Sequence, residues 1–179
     1  MQPAAYLDDA IQQFRKLKEL AEKAILQVDP GSLFATLDAE SNSIAAIMKH
    51  LAGNMRSRWT DFLTSDGEKP GRQRDQEFAS DAADTKESLL EHWEAGWRCL
   101  FGALSPLAAS DLSRIVLIRG EPHSVMQAIN RQLTHYAYHV GQIVLLAKHF
   151  AGAGWQSLSI PRGHSEEFTA AMRRRRGGA

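Results

Sequence analysis

The chain has 179 residues, 44% of them hydrophobic, enough to build one good core and most simply read as one domain. Its 21 basic and 21 acidic residues balance, which removes any global electrostatic reason to expect nucleic acid or an anionic membrane as a partner. A single cysteine, Cys99 in the apolar run WRCLFGAL, excludes an intramolecular disulfide and suits a reducing compartment.

Residues 1 to 25 carry acids and lysines throughout, and no window reaches the ~20 apolar residues needed to cross a bilayer, so the expectation is a cytoplasmic protein with no membrane partner. The first helix is predicted over Tyr6 to Val28, with Leu7, Ile11, Phe14, Leu17, Ala21 and Ile25 on one side and Asp29-Pro30-Gly31 as its stop. A second, over Asn42 to Leu63, places Ile44, Ile47, Met48, Leu51, Met55, Trp59 and Phe62 on one stripe. Residues 64 to 83 then form a polar link rich in Gly, Pro and charge, too long for a tight turn and suited to a crossover or flap.

The third helix is predicted over Asp84 to Leu104, opened by an acid-x-x-Glu capping pattern at Asp84 and Glu87 and burying Leu89, Trp93, Trp97, Leu100 and Leu104. LSRIVLI, followed by Arg119-Gly120-Glu121-Pro122, suggests a short hairpin leading into a fourth helix over Ser124 to Phe150. A short helix near Ser165 to Met172 follows the turn at Pro161, and LSIPRGHSEEF (158 to 168) is expected to be ordered against the body, since Trp155, Leu158 and Ile160 offer apolar area. The whole reads as all-α: a four-helix bundle over 1–172 with a long crossover loop and a C-terminal extension, then a basic tail, 173–179, expected to be frayed and solvated.

Three histidines carry the functional signal. His135 and His139 in QLTHYAYHVGQIVLL are about one turn apart and project from one helical face, so together they can grip one ion. His50 lies on the second helix, on the corresponding shoulder of its apolar stripe. The plain alternative is that each imidazole fills a half-buried position and donates to a carbonyl or water. Tyr136, Ala137 and Tyr138 stand between the pair where a zincin motif would have its Glu, which disfavours protease chemistry of that type. His92, His123 and His149 have no partner at ligand spacing.

The stretches IMKHLAGNMRSRW, GEKPGRQRDQEF, HYAYHVGQIV and LSIPRGHSEEF resemble the DinB-like, YfiT-like superfamily of metal-dependent four-helix bundles, in an uncharacterised bacterial branch. The resemblance runs over roughly Tyr6 to Phe168. It implies one divalent metal held by a His on the second helix and a His-x-x-x-His pair on a late helix, carried over here onto His50, His135 and His139. It also implies activities such as thiol transfer or isomerisation with a low-molecular-weight thiol.

Three imidazoles without a fourth protein ligand leave open coordination positions, which favours chemistry over a purely structural ion. Imidazole suits Zn²⁺, Ni²⁺ and Fe²⁺ alike, with Zn or Ni the expectation here. Asn54, one turn from His50, and Gln142, about one turn after His139, are candidates to orient a water or substrate. Arg72, Arg74 and Glu77 in the loop, and Arg162, His164 and Ser165 near the C-terminus, are candidates to cover the site and read an anionic substrate. The leading reading is a metal-dependent transferase or hydrolase acting on a small molecule in stress or detoxification metabolism. The competing one is a non-enzymatic metal- or ligand-binding stress protein acting through a homodimer or a partner. A nucleic-acid role rests only on Arg173 to Arg176, and the neutral overall charge argues against it.

Overall fold

The structure is a computed structural model that describes residues 3–79, 81 and 83–177; the side chains of residues 3, 4, 176 and 177 lie outside the description. It contains α1 (Pro3–Ile25), α2 (Ile44–Trp59), α3 (Lys86–Leu104), a hairpin of β1 (Ile115–Ile118) and β2 (Glu121–Ser124), α4 (Val125–Ala151) and α5 (Ser165–Gly177). The fold is therefore mostly helical, with a two-stranded sheet. Around the core α1 packs on α4, α4 on α2, α2 on α3 and α3 on α1. No helix of the described residues is long and apolar enough to cross a membrane.

The helices start where side-chain caps satisfy their free N–H groups. Ser43 accepts from Ala46 N at 3.1 Å to begin α2, and Ser124, the last residue of β2, caps α4 in a reciprocal box with Gln127. The expected cap at Asp84 is corrected. Thr85 caps α3, in a box with Ser88, while the Asp84 carboxylate turns to Lys49 of α2 at 2.6 Å. An acid that finds a cation on a neighbouring helix is worth more there than at an exposed helix end.

The apolar stripe of α2 is buried from Ile44 to Trp59, because α3 and α4 flank it. α3 approaches so closely at Gly96 that a Cβ there would lie 3.0 Å from Ala52 Cα. Trp93 and Trp97 are core residues, edge to face at 5.5 Å. Between α2 and α4 the core contains a polar network: the fully buried Tyr136 hydroxyl donates to Asn54 Oδ1 at 3.0 Å and accepts from Trp59 Nε1 at 3.2 Å.

The hairpin forms as expected, with Val116 and Ile118 facing the core and Ile115 and Leu117 outward. Its turn holds Arg119 and Gly120 at φ of 58° and 76°, the left-handed pair a two-residue hairpin turn requires. Asp66 fixes that turn from the crossover loop by accepting both turn N–H groups, at 2.8 and 2.7 Å. The loop is thus built into the fold.

The C-terminal expectation holds only at its start. Trp155 and Leu158 pack on the core, and Gln27 and Gln156 bond reciprocally at 3.2 and 2.7 Å. Residues 159 to 169 are exposed, Ile160 and Phe168 included, because the stretch after Leu158 has too little apolar area to hold it down. Arg173, Arg174 and Arg175 are exposed on the last turns of α5, where a frayed tail was expected; residues 178 and 179 lie outside the described residues.

Replacing Tyr136 by Phe removes the one group that satisfies both Asn54 Oδ1 and Trp59 Nε1. Each is left buried and unpaired, so the expected cost is about 1–3 kcal/mol, read as a lower urea midpoint at unchanged slope. A change within ~0.5 kcal/mol would mean that the network contributes nothing to folding.

Candidate metal centre

α4 presents His135 and His139 on its inner shoulder, and α2 brings His50 across from them. One potential ligand atom from each lies within 4.8 Å of the others. His50 Nε2 and His135 Nε2 face each other at 3.2 Å. Two nitrogens ~2.0–2.1 Å from a common ion stand roughly 2.9–3.4 Å apart between octahedral and tetrahedral angles, so this separation fits shared coordination. His50 and His139 are buried and His135 half-buried. The three residues could form a metal site.

Two of the three rear nitrogens are taken. His50 Nδ1 donates to Glu77 Oε2 at 2.9 Å, and His139 Nδ1 donates to Gln142 Oε1 at 2.8 Å. Each bond fixes a tautomer and a ring orientation that leave Nε2 as the free donor, the arrangement that metal-binding histidines use. Gln142 therefore stands behind His139. Asn54 is buried in the Tyr136 network and also lines the cleft in front of the histidines.

Glu77 does something that reasoning from sequence missed. Expected as a loop residue covering the site, it sits behind His50, clamped by Arg72 through two hydrogen bonds of 2.8 Å, Nε to Oε1 and Nη2 to Oε2. Burial opposes its ionisation, but the bonds from His50 and Arg72 outweigh this and hold the carboxyl below the usual carboxylate range. Arg72 is thereby committed to Glu77. Gly53, one turn after His50, makes room for the clamp, since a Cβ there would fall 2.2 Å from Glu77 Oε1. The neighbouring Phe78 stacks on the His50 ring at 4.8 Å. The signal for Glu77 and Gly53 was present only as a carboxylate in a polar loop and a glycine inside a helix; nothing local tied either to His50.

The cleft has a volume of about 680 Å³ and is bordered by α2, α4, the crossover loop and the hairpin turn. Arg72 and Arg74 line it; Arg162 and Ser165 do not. α4 rises ~1.5 Å per residue, so its end at Ala151 is about 18 Å past His139, and the chain leaves on that far side. His164 bonds Glu167 at 2.9 Å on the surface and does not line the cleft.

Burial, with the neighbouring His139 and His50, pushes His135 down to about 3, and burial likewise lowers His139. Both rings are neutral near pH 7, the form that binds metal. Below the ordinary value of about 6.5 the unfolded chain takes up the proton that folded His135 refuses. Metal-free protein should therefore lose stability as the pH falls from about 6.5 toward 3, and His135→Ala should flatten that slope, both read by urea unfolding. An equal slope in the variant would contradict the assigned burial. Glu77→Ala should weaken zinc binding about 10–100-fold in a competitive chelator titration, with Gly53→Ala acting in the same direction by displacing the carboxylate. Unchanged affinity in both would leave Glu77 without influence on the site.

Compared with known proteins, the chain matches no curated protein. Residues 2–164 match the family DUF1572, described as a protein of unknown function, and the match takes in the three histidines, Glu77, Gly53 and the whole cleft. The match spans α1 through the segment that follows α4, so the chain belongs to the DUF1572 family.

Proposed function

We propose that the protein is a metal-dependent enzyme that acts on a small molecule, a DinB-like four-helix bundle in which His50, His135 and His139 hold a divalent ion, Zn²⁺ or Ni²⁺. The observation that carries this reading is the form of the histidine group. Two rear nitrogens are held by Glu77 and Gln142, the three rings face one another, and no Asp, Glu or Cys of the described residues joins them. A structural zinc is normally closed by four protein ligands, whereas three beside an open cleft leave room for a substrate.

An ion held there supplies Lewis acidity toward a water, a thiol or a carbonyl. The chain's own residues divide the remaining work. Glu77 and Gln142 orient imidazoles, Phe78 covers one face of His50, and Asn54 borders the space a substrate would occupy. Transfer or hydrolysis with a low-molecular-weight thiol is the activity we favour, in the cytoplasm, in stress or detoxification metabolism. A non-enzymatic role through a homodimer draws on one observation, the exposed Ile115 and Leu117 on the outer face of β1, 63% and 44% accessible.

The test is elemental analysis of protein purified without a nickel column. One equivalent of zinc or nickel is expected in the wild type, and none in His135→Ala, with the helical circular dichroism retained because the apolar stripes carry the fold. Metal-free protein that also fails to take up added Zn²⁺, Ni²⁺ or Fe²⁺ would overturn the proposal.

A further inference from the structure

We infer that the cleft beside the three histidines is an anion receptor, taking a small molecule whose carboxylate or phosphate group is bound by Arg74 and Arg131 while the rest of the ligand reaches the histidines. Only that last contact rests on the metal reading above. Five guanidinium groups line the cleft, those of Arg58, Arg72, Arg74, Arg119 and Arg131, and its lining contains no Asp or Glu. Two carboxylates bind into this cluster from behind. Glu68 is held by Arg58 at 3.0 Å, Arg119 at 3.0 Å and Arg72 at 3.4 Å, and Glu77 by Arg72 at 2.8 Å.

Arg74 and Arg131 form no ion pair among the described residues. Arg74 is poised over the Phe78 ring at 5.3 Å, and Phe78 in turn stacks on His50, which places this cation next to the histidine group. Arg131 stands one turn before His135 on α4. Like charges gathered in one cleft repel unless a counter-charge joins them, and the planar guanidinium fork matches carboxylate and phosphate oxygens.

A second, independent observation points to a ligand. Gln132 is 3% exposed and lines the same cleft, yet its Oε1 has no hydrogen-bond partner, and Nε of the buried Arg58 is equally unpaired. Buried polar atoms without partners are rare in folded proteins, and here an acceptor and a donor without one lie on two side chains of the cleft wall. The ligand class is thus a small anion. A cationic substrate is disfavoured.

The test uses metal-free protein, stripped with a chelator at pH 7.5 and low salt, and two probes, inorganic phosphate and succinate, titrated by calorimetry. Saturable binding of at least one is expected, and which one binds separates a phosphate-bearing ligand from a carboxylate-bearing one. Arg74→Ala and Arg131→Ala should each weaken it about tenfold. Arg114→Ala, which loses only the pair with Asp111, should leave it unchanged. Zinc uptake, measured separately, should survive both arginine substitutions. No saturable binding of either probe, or binding indifferent to Arg74 and Arg131, would overturn the receptor; loss of zinc uptake with anion binding retained would sink only the metal reading.

Discussion

The carboxylate of Glu77 is the point on which loop, helix and histidine group depend together. It satisfies Arg72, a buried guanidinium whose other carboxylate contact, to Glu68, is longer at 3.4 Å, and it takes the rear N–H of His50. A buried ion pair contributes little to stability by itself, because desolvating two charges offsets most of their attraction. What it contributes here is position. With Glu77 in place the His50 ring has one tautomer and one orientation, and Phe78, the next residue, is set against its face. The glycine at position 53 is the steric condition for all of this, since any larger residue on that turn of α2 would occupy the space of the carboxylate.

The crossover loop is consequently part of the site's wall. Asp66 secures its first half to the hairpin turn, Arg58 donates to Gly67 O and Glu68, and Lys49 holds its end through Ala79 O and Asp84. Those attachments bring arginines from α2, the loop, the hairpin and α4 to one cleft, although the chain as a whole is neutral. Net charge was therefore a poor guide to the local field, which depends on which charges fold together and which carboxylates are used up in ion pairs. The same interface between α2 and α4 contains the Tyr136, Asn54 and Trp59 network, so the helices that carry the histidines are held in register by polar contacts as well as apolar ones.

Helix identity and core were legible because they follow from a local period. Phe14, Ile47, Leu51, Trp93 and Leu100 are buried as their spacing implied. His135 and His139 were legible for the same reason, being one turn apart on a single helix. The hairpin could be read from its β-branched run and the Arg-Gly turn. Helix ends were less certain, since Asp84 and Thr85 are both capable caps and the choice fell to a lysine on another helix.

Sequence alone determined what depends on neighbours a few residues apart: the helical faces, the i, i+4 histidine pair, and an apolar content able to close one core. Only the tertiary structure decided what stands across from what. That His50 Nε2 meets His135 Nε2, that Glu77 lies behind His50 rather than over the substrate space, that Gly53 makes room for it, and that Arg131 and Gln132 share a cleft with Arg74 all depend on long-range packing of α2 against α4 and on the path of the loop. The C-terminal arginine and serine, Arg162 and Ser165, fell outside the cleft for the complementary reason, that a helix of 27 residues carries the chain about 18 Å past His139 before it turns.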